Sequence, residues 1–245
     1  MNGSLDLLIF GAHPDDAEIG MGGTIAKHTA AGHRVGICDL TLAEMSSNGT
    51  VELRRKEAEE ASRVLGLAMR SNLELPDRGL TLCQEHIDKI VAEIRRWKPR
   101  VVFAPYWKDR HPDHIACSKL VQEAVFNAKL RRYMPETEAH SVVDTYFYFI
   151  NDLDTCDVIT DVTEVYRQKT AALEAYRSQF MAADAGNDYV RTPLNQGYLE
   201  RVEARDRMLG QKRMVPYAEG FVNSRRCSLI YFKFPGEGEA EGWTG

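Results

Sequence analysis

Apolar positions along the chain alternate between short continuous runs and stripes of helical spacing. The run Leu5-Asp6-Leu7-Leu8-Ile9-Phe10 has the length of a buried strand, and Ile19 to Ala31 behind it predicts a helix that stops at Gly32-His33. Arg34 to Thr41 predicts a second strand. The polar loop Leu42 to Gly49 then leads to Thr50, a suitable N-cap for a helix from Val51 to Leu65. Asn72 to Leu75 predicts a third strand, closed by the turn Pro76-Asp77-Arg78-Gly79. Ile87, Ile90, Val91, Ile94 and Trp97 mark one face of a helix ended by Lys98-Pro99. Arg100 to Ala104 predicts a fourth strand, and Cys117, Val121, Ala124, Val125 and Ala128 the core face of a helix running to about Lys129. Four strand–helix alternations imply right-handed βαβ units, hence an α/β fold with a largely parallel sheet flanked by helices.

The later chain is less regular. Val142 to Ile150 and Val158 to Val162 predict strands, Glu164 to Gln179 a helix, Leu199 to Leu209 a charged helix and Cys227 to Phe234 a last strand. Phe180 to Gln196 is Gly/Asn/Asp-rich and aperiodic, so a loop over the site is expected there. With no repeat and no linker, residues 1–235 form one expected domain, and the acidic Gly/Glu-rich tail 236–245 is expected to fray.

Bulk properties narrow the function. The 245 residues suit one large domain, and a formal charge of −5 with pI near 5.8 argues against nucleic acid or an anionic membrane surface as partner. No leader pattern opens the chain, and no apolar run approaches the roughly 18 residues of a spanning helix. Cys38, Cys83, Cys117, Cys156 and Cys227 are scattered, odd in number and without a C-x-x-C, as expected of reduced thiols in a cytoplasmic protein. Gly20, Gly22 and Gly23 fit neither phosphate-loop spacing, so close packing of helix on strand is the better account of them.

The chemistry concentrates at two strand tips. Gly11-Ala12-His13-Pro14-Asp15-Asp16 ends the first strand, and His111-Pro112-Asp113-His114 follows the fourth. Open α/β sheets bind ligands at the carboxyl ends of their strands, and a catalytic zinc takes three His/Asp/Glu ligands with one position left open. Pro14 turns the chain so that His13 and Asp16 can reach one ion. Pro112 fits the first helical position, which sets His111 and His114 on one face with Asp113 pointing elsewhere. One histidine can then ligate while the other does proton or charge work. Asp15, not spent on the metal, can take a proton from an acidified water, and a protonated His111 oriented by Asp113 could meet an oxyanion or a leaving nitrogen. Arg54, Ala58, Ala61 and Leu65 share one helical stripe, so Arg54 points inward beside the strand tips. A zinc-dependent hydrolase follows. A nucleotide-binding protein is disfavoured because no G-x-G-x-x-G follows the first strand, and a binding module with a structural metal would not need the two spare acid/base groups.

Ala12-His13-Pro14-Asp15-Asp16 with His111-Pro112-Asp113-His114 resembles the two signature motifs of the LmbE-like, or PIG-L, zinc N-deacetylases. Ser46-Ser47-Asn48-Gly49-Thr50, Glu52-Leu53-Arg54, Leu75-Pro76-Asp77-Arg78-Gly79, Asp109-Arg110, Ser178-Gln179-Phe180 and Tyr217-Ala218-Glu219-Gly220-Phe221 extend the likeness toward the bacillithiol-biosynthesis branch. The resemblance implies a Rossmann-like domain and one Zn²⁺ held by His13, Asp16 and His114, with Asp15 as general base and His111 as its partner, supported by Asp113. It further implies Arg54 and Arg110 as contacts for an anionic substrate group and Tyr198 as a hydroxyl donor to the oxyanion. The implied substrate is a small N-acetylglucosaminyl conjugate, N-acetylglucosaminyl malate first. Another N-acetylglucosaminide, such as N-acetylglucosamine or chitobiose, and the amide of a thiol conjugate are the alternatives. A homo-oligomer is implied, and a hexamer is one form it could take.

Overall fold

The computed structural model describes residues 3–181 and 189–223. Strand β1 (Leu7–Gly11) is followed by helix α1 (Asp16–Ala30), β2 (Val35–Thr41), α2 (Val51–Leu65), β3 (Met69–Leu75), α3 (Gln84–Trp97), β4 (Val101–Pro105) and α4 (Pro112–Ala128). Then come β5 (Asp144–Tyr148), β6 (Val158–Asp161), α5 (Tyr166–Glu174), the short α6 (Arg177–Phe180), α7 (Tyr198–Gln211) and β7 (Ala218–Asn223). The sheet order is β3-β2-β1-β4-β5-β7-β6. The first five strands pair in parallel, and β7 enters antiparallel between β5 and β6. The expected α/β class with a largely parallel sheet is what forms.

Strand alternation divides the core. Leu8 and Phe10 of β1 face α3 and α4, packing with Ile90, Val91, Ile94, Cys117 and Val121. Leu7 and Ile9 face the other way, toward Ile25, Ala58, Ala61, Leu65 and Ala172. A strand buried on both sides reads as a continuous apolar run, which is why β1 was visible in the sequence. The limits of α2 match the sequence reading because both ends carry local signals: Thr50 Oγ1 accepts the Leu53 N–H at 3.2 Å, and Gly66 takes the left-handed φ of 68° after the last turn.

Helix α1 is broken. Met21 leaves helical geometry (φ −150°, ψ 23°), and the Glu219 carboxylate of β7 accepts the Gly23 N–H at 2.9 Å and the Thr24 N–H at 2.6 Å. Glu219 thereby caps the second segment as an N-cap side chain would. Behind it Lys169 Nζ donates to Glu219 Oε1 at 2.7 Å and Asp206 Oδ2 at 2.6 Å, all three side chains being buried. The glycines of α1 do serve close packing: a Cβ on Gly20 would run into the Tyr148 ring, and one on Gly23 would lie 2.7 Å from Val162 Cβ.

Two expectations are revised. The helix expected over residues 164–179 becomes a 3₁₀ turn (Thr163–Val165), α5 and α6, because Tyr176 turns inward to donate to Glu18 Oε1 at 2.9 Å. The loop expected over 180–196 contains a 3₁₀ turn at Pro193–Asn195, and residues 182–188 lie outside the described residues. The strand expected at Cys227–Phe234 and the tail 236–245 also lie outside them, while the unexpected strand β7 stands just before.

Candidate active site

Both sequence clusters arrive at one place, the carboxyl ends of β1 and β4, where the connections leave on opposite faces of the sheet. Asp15 takes φ 115°, a left-handed backbone that a non-glycine residue adopts at a cost of about 1–3 kcal/mol. Arg54 sustains it: one guanidinium nitrogen donates both to the Pro14 carbonyl and, at 3.2 Å, to Asp15 Oδ2. Arg54 is 3 % exposed and its cation sits 5.7 Å from the Tyr176 ring centroid. The inward direction read from its helical stripe is correct, and its charge is engaged with Asp15.

His13 and His114 converge on Asp16. The Asp16 carboxylate lies 3.5 Å from His13 Nδ1 and 3.1 Å from His114 Nε2, and it also accepts the His13 backbone N–H at 2.8 Å. The far nitrogen of each ring meets carboxylates. His13 Nε2 lies 3.2 Å from Asp77 Oδ1 and 3.5 Å from Asp113 Oδ2, and His114 Nδ1 lies 3.0 Å from Asp109 Oδ1. This is the arrangement in which metal-binding imidazoles are held: one nitrogen fixed by an acid, the other turned to a shared centre. By distance alone, nitrogens of His13, His111 and His114, or His13 with Asp77 and Asp113, are also close enough to hold an ion, lying within 4.8 Å of one another. The Asp77, Asp109 and Asp113 carboxylates already have histidine partners. Three histidines among this many buried acids make a centre suited to a divalent cation.

His111 caps α4, its Nδ1 accepting the Asp113 N–H at 3.2 Å. Burial, and positive charge on the neighbouring His114 and His13 while no ion is bound, press its pKa down to about 4, and with Nδ1 accepting, a neutral ring carries its proton on Nε2. The Asp113 side chain was expected to orient His111; instead it faces His13 and accepts the Arg78 backbone N–H at 2.8 Å and Arg78 Nη1 at 3.0 Å. Burial raises Asp15 to about 7, the neighbouring Arg54 offsetting part of the rise and Asp16 adding to it. Burial would also raise Asp16, yet His114 and His13 hold it well below the usual carboxylate range.

A cavity of 460 Å³ opens over this centre, within the size range of small-molecule sites. His13, Asp15, Asp16, His111 and His114 line it, as do Arg54, Arg110 and Tyr198. Tyr198, the first residue of α7, stacks on Phe180 and donates from Oη to Asn151 Oδ1 at 3.1 Å. Arg110 is exposed at the rim. Two residues to which the sequence reading gave no role complete the centre. Asp77 accepts the Met45 N–H at 2.9 Å, and Asp109 accepts from His111 N, Asn151 N and Asn151 Nδ2 at 2.7, 3.1 and 2.9 Å. Both lay in stretches that resembled the family, which was the available signal.

Fold and site together define a Rossmann-like protein with a histidine–carboxylate centre able to hold a divalent ion at the strand tips. The chain belongs to the PIG-L family, whose model, described as GlcNAc-PI de-N-acetylase, matches residues 8–125. The diacetylchitobiose deacetylase of Thermococcus kodakarensis is 34 % identical over 183 residues, 69 % of this chain and 67 % of that protein. A probable N-acetyl-α-D-glucosaminyl L-malate deacetylase 2 of Bacillus cereus is 31 % identical over 191 residues, 71 % of this chain and 83 % of that one. Among solved structures, a conserved protein of Thermus thermophilus is similar with a TM-score of 0.82 and 42 % identity, covering 96 % of this chain and 100 % of that one. The curated relatives named here are deacetylases, which supports an enzyme. Among the described residues no helix is long and apolar enough to cross a membrane.

Proposed function

We propose that the protein is a zinc-dependent N-deacetylase that hydrolyses the acetamide of an N-acetylglucosaminyl conjugate and releases acetate. The observation that carries this reading is the convergence of His13 Nδ1 and His114 Nε2 on Asp16, beside an Asp15 carboxylate paired only with Arg54 among the described side chains. An ion held by His13, Asp16 and His114 would supply Lewis acidity toward the acetamide carbonyl and the attacking water. Asp15, poised near neutrality, takes the water's proton as general base. The neutral His111 offers Nε2–H to the developing oxyanion. Tyr198 is a second donor, provided its hydroxyl leaves Asn151. The proton collected by Asp15 is the one the departing nitrogen needs, delivered directly or through His111.

We place N-acetylglucosaminyl malate, and with it bacillithiol biosynthesis in the cytoplasm, first among substrates; the Bacillus cereus relative supports it. Diacetylchitobiose is the competing substrate, supported by the Thermococcus relative. The homo-oligomer implied by the resemblance is kept as part of the proposal. Acetate release from N-acetylglucosamine, diacetylchitobiose, N-acetylglucosaminyl malate and the amide of a thiol conjugate, each before and after chelation and after zinc is restored, tests all of this. Turnover of an N-acetylglucosaminide that chelator abolishes and zinc restores is expected. Turnover of none, or turnover indifferent to chelator, would overturn the reading.

A further inference from the structure

A second cavity, of 330 Å³, adjoins the catalytic one and shares Arg110, Ile150, Asn151 and Tyr198 with it. One wall is α7. Tyr198, Arg201, Val202 and Arg205 recur at i, i+3, i+4 and i+7, so they share a helical stripe, and all four line this cavity. A stripe at that spacing is ordinarily apolar where it faces inward; here it carries two arginines.

The cations around the two cavities differ in what they have left to give. Arg54 is paired with Asp15 and Arg78 with Asp113. Arg205 donates to Asp206 and to the carbonyls of Phe149, Ile150 and Ile19, so it builds the wall. Arg110 makes no hydrogen bond or ion pair among the described residues. Among the described residues the Arg201 side chain donates only to the Gln196 carbonyl, at 2.8 Å. Among the described residues Asp152 is the one acid lining this lobe, against three arginines. Among the described residues, the free guanidinium donors near the catalytic centre are therefore those of Arg110, which lines both cavities, and Arg201, which lines the second.

We propose that this second cavity is the subsite for the aglycone of the substrate, that it takes a carboxylate-bearing aglycone, and that Arg201 is a specificity-determining residue there, acting with Arg110. The proposal rests on the N-acetylglucosaminide deacetylase reading and relocates the anion contact from Arg54. The acetamide end occupies the first cavity, and the chain of the substrate passes Tyr198 and Asn151 into the second. A planar guanidinium with free donors matches a carboxylate with two parallel hydrogen bonds, which a carboxamide of the same shape cannot reciprocate.

The test uses pairs of N-acetylglucosaminides whose aglycones differ only in carboxylate against carboxamide. The wild-type enzyme is expected to prefer the carboxylate. Arg201→Gln should cut that preference about tenfold, mainly through KM, and Arg201→Lys, which keeps the charge but loses the paired donors, should recover only part of it. Calorimetric binding of the deacetylated carboxylate glucosaminide reads the subsite without turnover, and its Kd should weaken about tenfold in Arg201→Gln. Equal turnover of carboxylate and carboxamide by wild-type enzyme, or a preference that survives Arg201→Gln, overturns the subsite and leaves the deacetylase reading standing. Arg201-dependent binding without cleavage of any N-acetylglucosaminide keeps the subsite and overturns the deacetylase reading.

Discussion

Asp109 is the place to break the site without touching its ligand atoms. Its carboxylate is 3 % exposed and accepts four hydrogen bonds, from His114 Nδ1, His111 N, Asn151 N and Asn151 Nδ2. In Asp109→Asn one carboxylate oxygen becomes an NH₂. With the carbonyl kept toward His114, that NH₂ meets the Asn151 N–H, leaving a buried donor unpaired at about 1–3 kcal/mol. The bond to His114 also loses its charge, which weakens it and frees the imidazole to turn. Loss of an acid behind a metal-ligating histidine typically lowers metal affinity by about 10–100-fold. The expected result is zinc affinity down by about 10–100-fold in chelator competition and urea stability down by about 2–4 kcal/mol. The acid limb changes too. Burial would raise Asp109, but His114, His111 N–H and Asn151 hold it at about 2, below its unfolded value. A depressed carboxylate contributes stability that is present above about pH 4 and lost as pH falls toward 2, worth about 2 kcal/mol here. The metal-free wild type should lose that increment across this window and Asp109→Asn should not. Zinc affinity within twofold of wild type in Asp109→Asn, together with an unchanged acid limb, would refute the orienting role.

Asp15→Asn should keep zinc, by metal analysis, while kcat falls by about 10²–10⁴-fold; full turnover at neutral pH would remove the base assignment. Lys169→Met leaves Glu219 buried without a cation and Asp206 with Arg205 alone, so thermal unfolding should reveal a loss of about 3–5 kcal/mol, and wild-type stability would show that the acids find other partners. Gly20→Ala drives a methyl into the Tyr148 ring and should cost about 1–3 kcal/mol in denaturant unfolding; a neutral result would mean that α1 and β5 separate easily.

What the sequence revealed and what it hid follow one division. His13, Asp16, His111 and His114 were legible because strand run, proline and acid/base residues sit within a few positions of each other. The same holds for α2, whose caps lie at its ends. Asp77 and Asp109 were not, because what makes them acceptors for the histidines is the approach of the β3 and β4 connections in space, 64 residues apart in the case of Asp77 and His13. Strand β7, Ala-Glu-Gly-Phe-Val-Asn, breaks the apolar pattern with Glu219, a buried charge whose partners Lys169, Gly23 and Thr24 come from other elements. The start of β3 was missed for the same reason: Arg70 reads as solvated until Asp39 and Glu18 are seen to receive it at 2.7 and 2.6 Å. Periodicity reports burial of apolar faces, and it is silent on charges that are buried in pairs.

Because β7 is wedged between β5 and β6, those two strands do not pair with each other, and β6 has no berth among the described strands until β7 arrives. A ribosome must therefore deliver residues 218–223 before the edge can close, although the histidine clusters emerged more than a hundred residues earlier. Glu219 travels with β7, so the broken helix that begins at Asp16 acquires its cap only after that strand has been made. Completion of the helix that carries Asp16 therefore waits on a contact between residues 196 positions apart, and non-local closure of this kind is where a nascent polypeptide is most exposed to aggregation.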